Sequence, residues 1–220
     1  MKITYETIKA NEEINTYIEM GNAVLGVLGY TEHSKAHATR VAEVAAEILT
    51  ELHYSKKEIE LARIAGYMHD IGNSVNRHDH AHSGAIMAFE ILNKLQMPPK
   101  ELAMIISAIG NHDEATGSAV TPVSAALILA DKTDVRRNRV RNRDISTFDQ
   151  HDRVNYAAMK SKLVVNKEKQ TIQLDIELDE KICSVLDYFE IFLERMLMCR
   201  RAAELLGMKF KLTANGSKVV

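Results

Sequence analysis

The sequence predicts an all-α protein, a helical bundle that carries one small β-hairpin near its C-terminus. Apolar residues recur at helical spacing through most of the 220 residues, and the chain has three prolines. A short alternating stretch over 162–176 is typical of strands instead. We expect residues 1–220 to form a single domain, with its core over about 33–134 and a C-terminal appendage over 135–220.

The first three predicted helices follow from apolar stripes and end signals. Ile14, Ile18 and Leu25 form a stripe that stops at Gly26, and a second stripe follows Ser34. Ser55 and Glu58 have the spacing of a capping box, which opens the third helix. The predicted ranges are 11–26, 34–52 and 55–72.

The remaining elements follow from breakers and composition. Pro98 and Pro99 separate two helices, and the Ala, Leu and Ile residues after Pro122 indicate a buried one. Two alternating stretches flank a polar turn and predict the hairpin. We expect a last, long helix that contains both cysteines, about 24 Å apart and reduced, and a frayed tail after Lys211. The predicted ranges are 83–95, 99–111, 122–134, 162–166, 171–176 and 179–206.

Composition limits the function classes. Hydrophobic residues make up 46% and charged residues 26% of the chain, and the formal charge is -2, so no bulk attraction to nucleic acid or membranes is expected. The first twenty residues contain no uninterrupted apolar stretch. We therefore expect a cytoplasmic protein. The Met-rich text Met196-Leu197-Met198 fits packing in the core or between copies, which leaves a homo-oligomer open.

The residues that carry chemistry are histidines and aspartates in a characteristic order. An adjacent His69-Asp70 pair lies between an upstream His37 and a downstream Asp131. Nitrogen and oxygen ligands of this kind suit Fe, Mn, Zn, Co or Mg. Asp131 follows an apolar run, where a buried carboxylate is costly unless a cation neutralises it. The alternative is that each histidine is structural and Asp131 a helix cap.

At these residues the chain resembles the HD-domain superfamily of metal-dependent phosphohydrolases, over about residues 33–134. The matching phrases are His37-Ala38-Thr39-Arg40-Val41, His69-Asp70-Ile71-Gly72 and Ala130-Asp131-Lys132. The resemblance implies an HD-type helical fold and a divalent metal held by His37, His69, Asp70 and Asp131.

The resemblance also implies a second metal ion, because binuclear members of the family add histidines between the pair and the final Asp. His80 precedes Gly84 by four residues, as in the family's phrase, so we prefer it to His82. His112 resembles the later family histidine. The resulting hypothesis is one or two ions, with His80 and His112 on the second and Asp70 bridging. The alternative is a polar loop at residues 78–82.

The implied activity is hydrolysis of a phosphoester or phosphoanhydride in a soluble nucleotide or related metabolite, through metal-activated hydroxide. We expect Asp70, Asp113 and Lys132 to be catalytic, with Asp113 or Asp134 orienting water or ligands. Two other functions stay open. Some proteins of this fold use a di-iron pair to activate oxygen, and others are catalytically silent binding modules.

A basic run begins next to the predicted site, and we expect it to bind substrate phosphate together with Lys132 and Arg40. The run consists of Arg136, Arg137, Arg139, Arg141 and Arg143. An extended backbone would place the alternating members on one side. A solvated or subunit-facing loop is the alternative. Nucleic-acid binding is disfavoured, because no aromatic residues are interleaved with the run.

Overall fold

The computed structural model describes residues 3–219, which form a helical bundle joined to a small four-stranded sheet. Within this range the chain has nine α-helices and four β-strands. The helices are α1 (Tyr5–Lys9), α2 (Glu12–Val27), α3 (Lys35–Glu51), α4 (Lys56–Met68), α5 (His80–Lys94), α6 (Pro99–Gly110), α7 (Pro122–Lys132), α8 (Gln150–Ala157) and α9 (Val185–Leu205). The strands are β1 (Ala158–Asn166), β2 (Thr171–Leu178), β3 (Lys209–Ala214) and β4 (Ser217–Lys218).

All seven predicted helices are present, and α1 and α8 are additional. The third helix ends at Met68 rather than near Gly72, and a short 3-10 turn follows over Ile71–Ser74. The fourth begins at His80, three residues earlier than expected, after Asp79 adopts a left-handed conformation with φ of 57°. Both shifts fall beside the predicted metal residues, where the chain turns sharply.

The predicted β-hairpin is present as β1 and β2, but it belongs to a larger sheet. β3 pairs with β2 in parallel and β4 follows β3, which gives the strand order β1-β2-β3-β4. The expectation of a frayed tail after Lys211 was therefore wrong. Phe210, Leu212 and Ala214 alternate with exposed or half-buried residues and are buried, because α9 carries the chain back alongside β2.

Helix α7 lies at the centre of the bundle. Its residues from Val123 to Ala130 are all buried, and it packs against α3, α4, α6 and α9. Helices α3 and α4 also pack closely on one another. A Cβ atom added to Gly66 would lie 2.7 Å from Ala42 Cα, so glycine is required for this approach. The three helices that carry His37, His69-Asp70 and Asp131 are thereby held together.

The cysteines are both buried and unpaired, but only Cys199 lies in α9, because Ser184 caps the helix after Cys183. Met196 and Met198 of the same helix are buried in the core. None of the helices described over residues 3–219 has the length and apolar character needed to cross a membrane.

We predict that Gly66→Ala lowers the free energy of unfolding by about 1–3 kcal/mol, because the new methyl group must displace the backbone of α3. Gly110→Ala is the matched control: its Cβ would lie at an ordinary 3.6 Å from Ala85 Cβ, so that variant should be neutral or slightly stabilised. Urea denaturation followed by circular dichroism measures both. Equal stability of the two variants would contradict the close approach of α3 and α4.

Candidate metal centre

Four histidines and two aspartates from five segments meet in the interior. His37 lies in the first turn of α3, His69 directly after α4, His80 at the start of α5, and His112 just after α6. All four side chains are buried. Asp70 follows His69, and Asp131 lies in the last turn of α7. The structure therefore brings together all six residues that the sequence nominated as metal ligands.

The first group of donor atoms surrounds one oxygen of Asp70. Asp70 Oδ2 lies 3.2 Å from His69 Nε2 and 3.7 Å from His37 Nε2. Asp131 Oδ1 lies 3.4 Å from His37 Nε2 and 3.6 Å from His69 Nε2. Donors that share an ion at about 2.1 Å lie roughly 3.0–3.5 Å apart, so these four atoms have suitable spacing.

The second group surrounds the other oxygen of the same carboxylate. Asp70 Oδ1 lies 3.6 Å from His80 Nε2 and 3.9 Å from His112 Nε2, and these two nitrogens are 3.2 Å apart. Asn73 Nδ2 donates to Asp70 Oδ1 at 2.8 Å and helps to fix the carboxylate. Asp70 thus faces both groups, one oxygen to each, which is the arrangement of a bridging ligand.

Hydrogen bonds set the orientation of each imidazole ring. His69, His80 and His112 each use Nδ1 to donate to a backbone carbonyl three residues earlier, at 2.8, 3.1 and 2.6 Å. His37 Nδ1 donates to Asp134 Oδ2 at 2.8 Å. A carbonyl or carboxylate oxygen only accepts, so Nδ1 carries the proton in every ring. Nε2 is left as the atom that faces a cation in each case.

Unpartnered atoms test whether a metal fits. Among residues 3–219, no hydrogen-bond partner is found for His37 Nε2, His69 Nε2 or Asp70 Oδ2, although all three atoms are buried. Buried polar atoms without a partner are costly. In the second group, the Nε2 atoms of His80 and His112 face one another while both Nδ1 atoms donate elsewhere. A cation between the donors of each group satisfies these atoms, so the residues fit one or two divalent ions.

The pKa values of the buried side chains show that the site favours positive charge. Burial disfavours protonation of His69, yet Asp70 and Asp131 together raise its pKa to about 10. Burial also raises the pKa of Asp70, but the neighbouring His69 outweighs it and holds that pKa well below its usual range. Burial keeps the pKa of His112 well below that of a free histidine. The proton on His69 therefore supplies positive charge where a metal ion would otherwise supply it.

Asp134 supports the first group from behind. Besides accepting from His37, its carboxylate pairs with Arg40 Nε at 2.8 Å and Arg136 Nε at 2.6 Å, and with Arg139 Nη1 at 3.5 Å. It is buried, and despite that burial His37 and Arg136 hold its pKa well below the usual range. Asp134 is therefore ionised and orients His37.

A cavity of about 480 Å³ opens onto both groups of donors. Its wall includes Asp70, His80, His112 and Asp131 on one side and residues of α8 and α9 on the other. The cationic side chains on the wall are Arg77, Lys132, Arg139 and Arg195. Ligands that enter the cavity meet the proposed metal ligands and these four cations together.

Several predicted residues take other positions. Among the described residues, the wall of this cavity does not include Arg40, Arg136 or Arg137. The first two pair with Asp134, and Arg137 donates to the carbonyl of Tyr156 and pairs with Asp179.

The basic run does not form one face. Arg139 donates to the carbonyl of Glu32 and Arg141 to those of Asn22 and Tyr30, so the run ties neighbouring segments together. A 3-10 turn over Arg137–Arg139 interrupts the extended backbone that one arginine side would require, and Arg137, Arg139 and Arg141 reach different backbone acceptors.

Of the three histidines at positions 78, 80 and 82, one side chain points inward and two point outward. His78 and His82 are exposed and pair with Asp79, whereas His80 is buried beside Asp70. Asp113, a predicted catalytic residue, lies with Oδ2 at 3.6 Å from His80 Nδ1. Lys132 Nζ pairs with Asp131 Oδ2 at 2.8 Å and so lies directly beside the site.

The residues of the cavity wall that sequence reasoning missed include His33, Arg77, Glu114 and Arg195. Two of these residues could have been recognised from their spacing in the sequence, since His33 precedes His37 by four residues and Glu114 follows His112-Asp113. Arg77 carries no pattern that separates it from a surface residue. Arg195 is one of several charged residues in a helix whose apolar periodicity indicates packing.

The family model of the HD domain matches residues 35–153. An uncharacterized protein of Methanocaldococcus jannaschii is 32% identical over 164 residues, which is 64% of this chain and 62% of that protein. Ribonuclease Y of Oceanobacillus iheyensis is 33% identical over 104 residues, which is 46% of this chain and 18% of that protein. The chain spans less than two thirds of the length of either relative.

Among solved structures, the chain is similar to a predicted HD superfamily hydrolase from an uncultured Thermotogales bacterium. The two share 26% sequence identity with a TM-score of 0.44, and the match covers 56% of this chain and 67% of that one.

We predict that His112→Ala lowers the metal content from two ions per chain to one, because it removes one of the two imidazole donors of the second group. His82→Ala is the matched control, since that histidine is exposed and lies two residues from His80 in the first turn of α5. Elemental analysis after dialysis against a defined Mn²⁺ concentration counts the ions. An unchanged ratio in His112→Ala would refute the second site.

Metal binding should release protons and strengthen with pH. Because the pKa of His69 is raised to about 10, its Nε2 carries a proton at neutral pH that a metal must displace. The carboxylates of Asp70 and Asp131 are already ionised. Affinity should rise by up to about tenfold per pH unit between pH 6 and 8. Calorimetry in buffers of different ionisation enthalpy measures the release, and a binding enthalpy independent of buffer would contradict it.

Proposed function

Because this chain belongs to the HD domain family, we propose that it is a metal-dependent phosphohydrolase acting on a soluble phosphorylated metabolite, most simply a nucleotide. The proposal names a phosphoester or phosphoanhydride as the bond that is cleaved, and water as the nucleophile. Ribonuclease Y, the distant relative, bears the name of an enzyme that cleaves RNA phosphodiesters. We therefore extend to this chain the cleavage of a bond to phosphorus.

The observation that carries the proposal is the division of Asp70 between two donor groups. One oxygen faces His37 and His69, and the other faces His80 and His112. A carboxylate placed in this way holds two ions close together, which suits the in-line displacement at phosphorus. When bound, such ions lower the pKa of a water molecule and polarise a phosphoryl oxygen.

The protein's own residues would orient and charge this centre. Asp134 and the backbone carbonyls fix the imidazole rings, so that little reorganisation is needed when a ligand arrives. Lys132 Nζ lies beside Asp131, where an ammonium group stabilises negative charge on a phosphoryl oxygen. Burial lowers the pKa of Lys132, but Asp131 and Glu114 outweigh it and raise that pKa, so the group stays charged.

The cavity supports a phosphorylated ligand rather than an apolar one. Arg77, Arg139 and Arg195 line it together with Lys132. Guanidinium groups bind phosphate oxygens in pairs, and a low-dielectric wall strengthens each contact. A volume of about 480 Å³ lies within the ordinary range of small-molecule sites.

We predict that Asp70→Asn lowers metal-dependent phosphate release by more than about 100-fold, the equivalent of about 2.7 kcal/mol, because both ions lose a charged ligand. Asp79→Asn is the control: Asp79 is exposed, and asparagine tolerates its left-handed conformation. Colorimetric phosphate detection with Mn²⁺-loaded protein and a panel of nucleotides and phosphodiesters measures the activity. Full activity of Asp70→Asn, or oxygen uptake without phosphate release, would overturn the proposal.

A further inference from the structure

Glu114 holds two cations at the wall of the cavity. Its Oε2 accepts from Lys132 Nζ at 2.7 Å, and its Oε1 accepts from Arg195 Nε at 2.9 Å. The carboxylate pairs with both cations at once and fixes their positions.

Arg195 is restrained on two sides. Glu114 binds its Nε, and the guanidinium carbon lies 4.4 Å from the centre of the Phe192 ring. Phe192 is also the point at which the backbone of α9 leaves helical geometry, with φ of -110° and ψ of 15°. Within residues 3–219, neither terminal nitrogen of Arg195 has a hydrogen-bond partner in the protein. A preorganised guanidinium edge is thus left for a ligand in the cavity that Arg195 lines.

A chain of charges orders these groups outward from the metal ligands. Asp131 pairs with Lys132, Lys132 with Glu114, and Glu114 with Arg195. A phosphoryl group bound by metal ions at Asp70 and Asp131 would be adjacent to Lys132, and Arg195 is the next cation along this chain of ion pairs. Arg195 lies outside the matched range 35–153, so it belongs to the C-terminal segment of this chain.

We propose that Arg195, positioned by Glu114 and Phe192, binds a second phosphoryl group, so that the substrate is a phosphoanhydride with at least two adjacent phosphoryl groups. This inference rests on the proposed function for the identity of the bond that is cleaved. It assigns the phosphoryl group that reacts to the Lys132 side and the neighbouring group to the Arg195 side. The two cations therefore distinguish a diphosphate from a monophosphate by position.

The test compares two ligands that the protein cannot hydrolyse. Methylenediphosphonate presents two adjacent phosphoryl groups and methylphosphonate presents one. Calorimetry with the Mn²⁺-loaded full chain measures both affinities for the parent protein, Arg195→Gln and the control Arg200→Gln, whose side chain is exposed on the same helix. Metal content and far-UV circular dichroism verify that each variant is loaded and folded.

Arg195→Gln should weaken methylenediphosphonate binding by about 10- to 100-fold, the expected loss for a charge-assisted contact, and methylphosphonate binding by less than about threefold. Arg200→Gln should change neither. Arg195→Lys keeps the positive charge and the aliphatic part of the side chain but lacks the planar guanidinium group, so it should give an intermediate loss of methylenediphosphonate affinity. This variant replaces Arg195→Gln if the glutamine variant does not fold. Equal losses for both ligands, or no loss for either, would overturn the inference.

Activity measurements separate this inference from the proposed function. If a nucleoside diphosphate is hydrolysed, Arg195→Gln should raise its KM more than it lowers kcat. Selective loss of methylenediphosphonate binding without hydrolysis of any phosphoryl compound would leave the subsite standing and refute the hydrolase. Hydrolysis that Arg195→Gln leaves unchanged would support the hydrolase and refute the subsite.

Discussion

The buried carboxylate of Asp70 is the constraint on which the rest of the structure depends. An ionised carboxylate in the interior is costly unless positive charge compensates it, and here Asp131 adds a second one within the same group of donors. The protein itself supplies a proton on His69 and the ammonium group of Lys132. Both Nε2 faces still point inward without a protein partner among residues 3–219. The two positive charges offset the two carboxylates, and a divalent cation would take the place of the proton on His69. The surrounding helices hold the donors that would bind it.

Holding six donors from five segments in place requires a rigid frame, and tight helix packing provides it. The approach of α3 to α4 at Gly66 brings His37 and His69 side by side, with ring centres 5.2 Å apart. The carbonyl of Gly66 then accepts from His69 Nδ1. One glycine thus permits the packing and orients a ligand, which joins fold stability to metal affinity.

The sequence was informative where ligands occur in recognisable motifs. It was less informative where the backbone conformation decides which side chain points inward. His37, His69-Asp70 and Asp131 stand out because the type and order of residues suit a metal. Choosing His80 over His82 needed a family phrase, since both are histidines two positions apart. The physical reason is the left-handed Asp79, which starts α5 at His80 and turns that side chain inward. Propensity gives no warning of such a turn.

Charge patterns in the sequence were a weaker guide, because arginine side chains bind backbone carbonyls as well as phosphate. Arg137, Arg139 and Arg141 tie neighbouring segments together, whereas Arg195 is one of several charged residues of α9 and has no motif that marks it. Its position in the cavity follows from the kink at Phe192 and from Glu114, more than eighty residues away in sequence. Long-range pairing of this kind leaves no local trace. The residues that would bind a metal thus all lie within the range that the family model matches, whereas Arg195 of the C-terminal segment forms part of the cavity wall, so a ligand in this cavity would contact both parts of the chain.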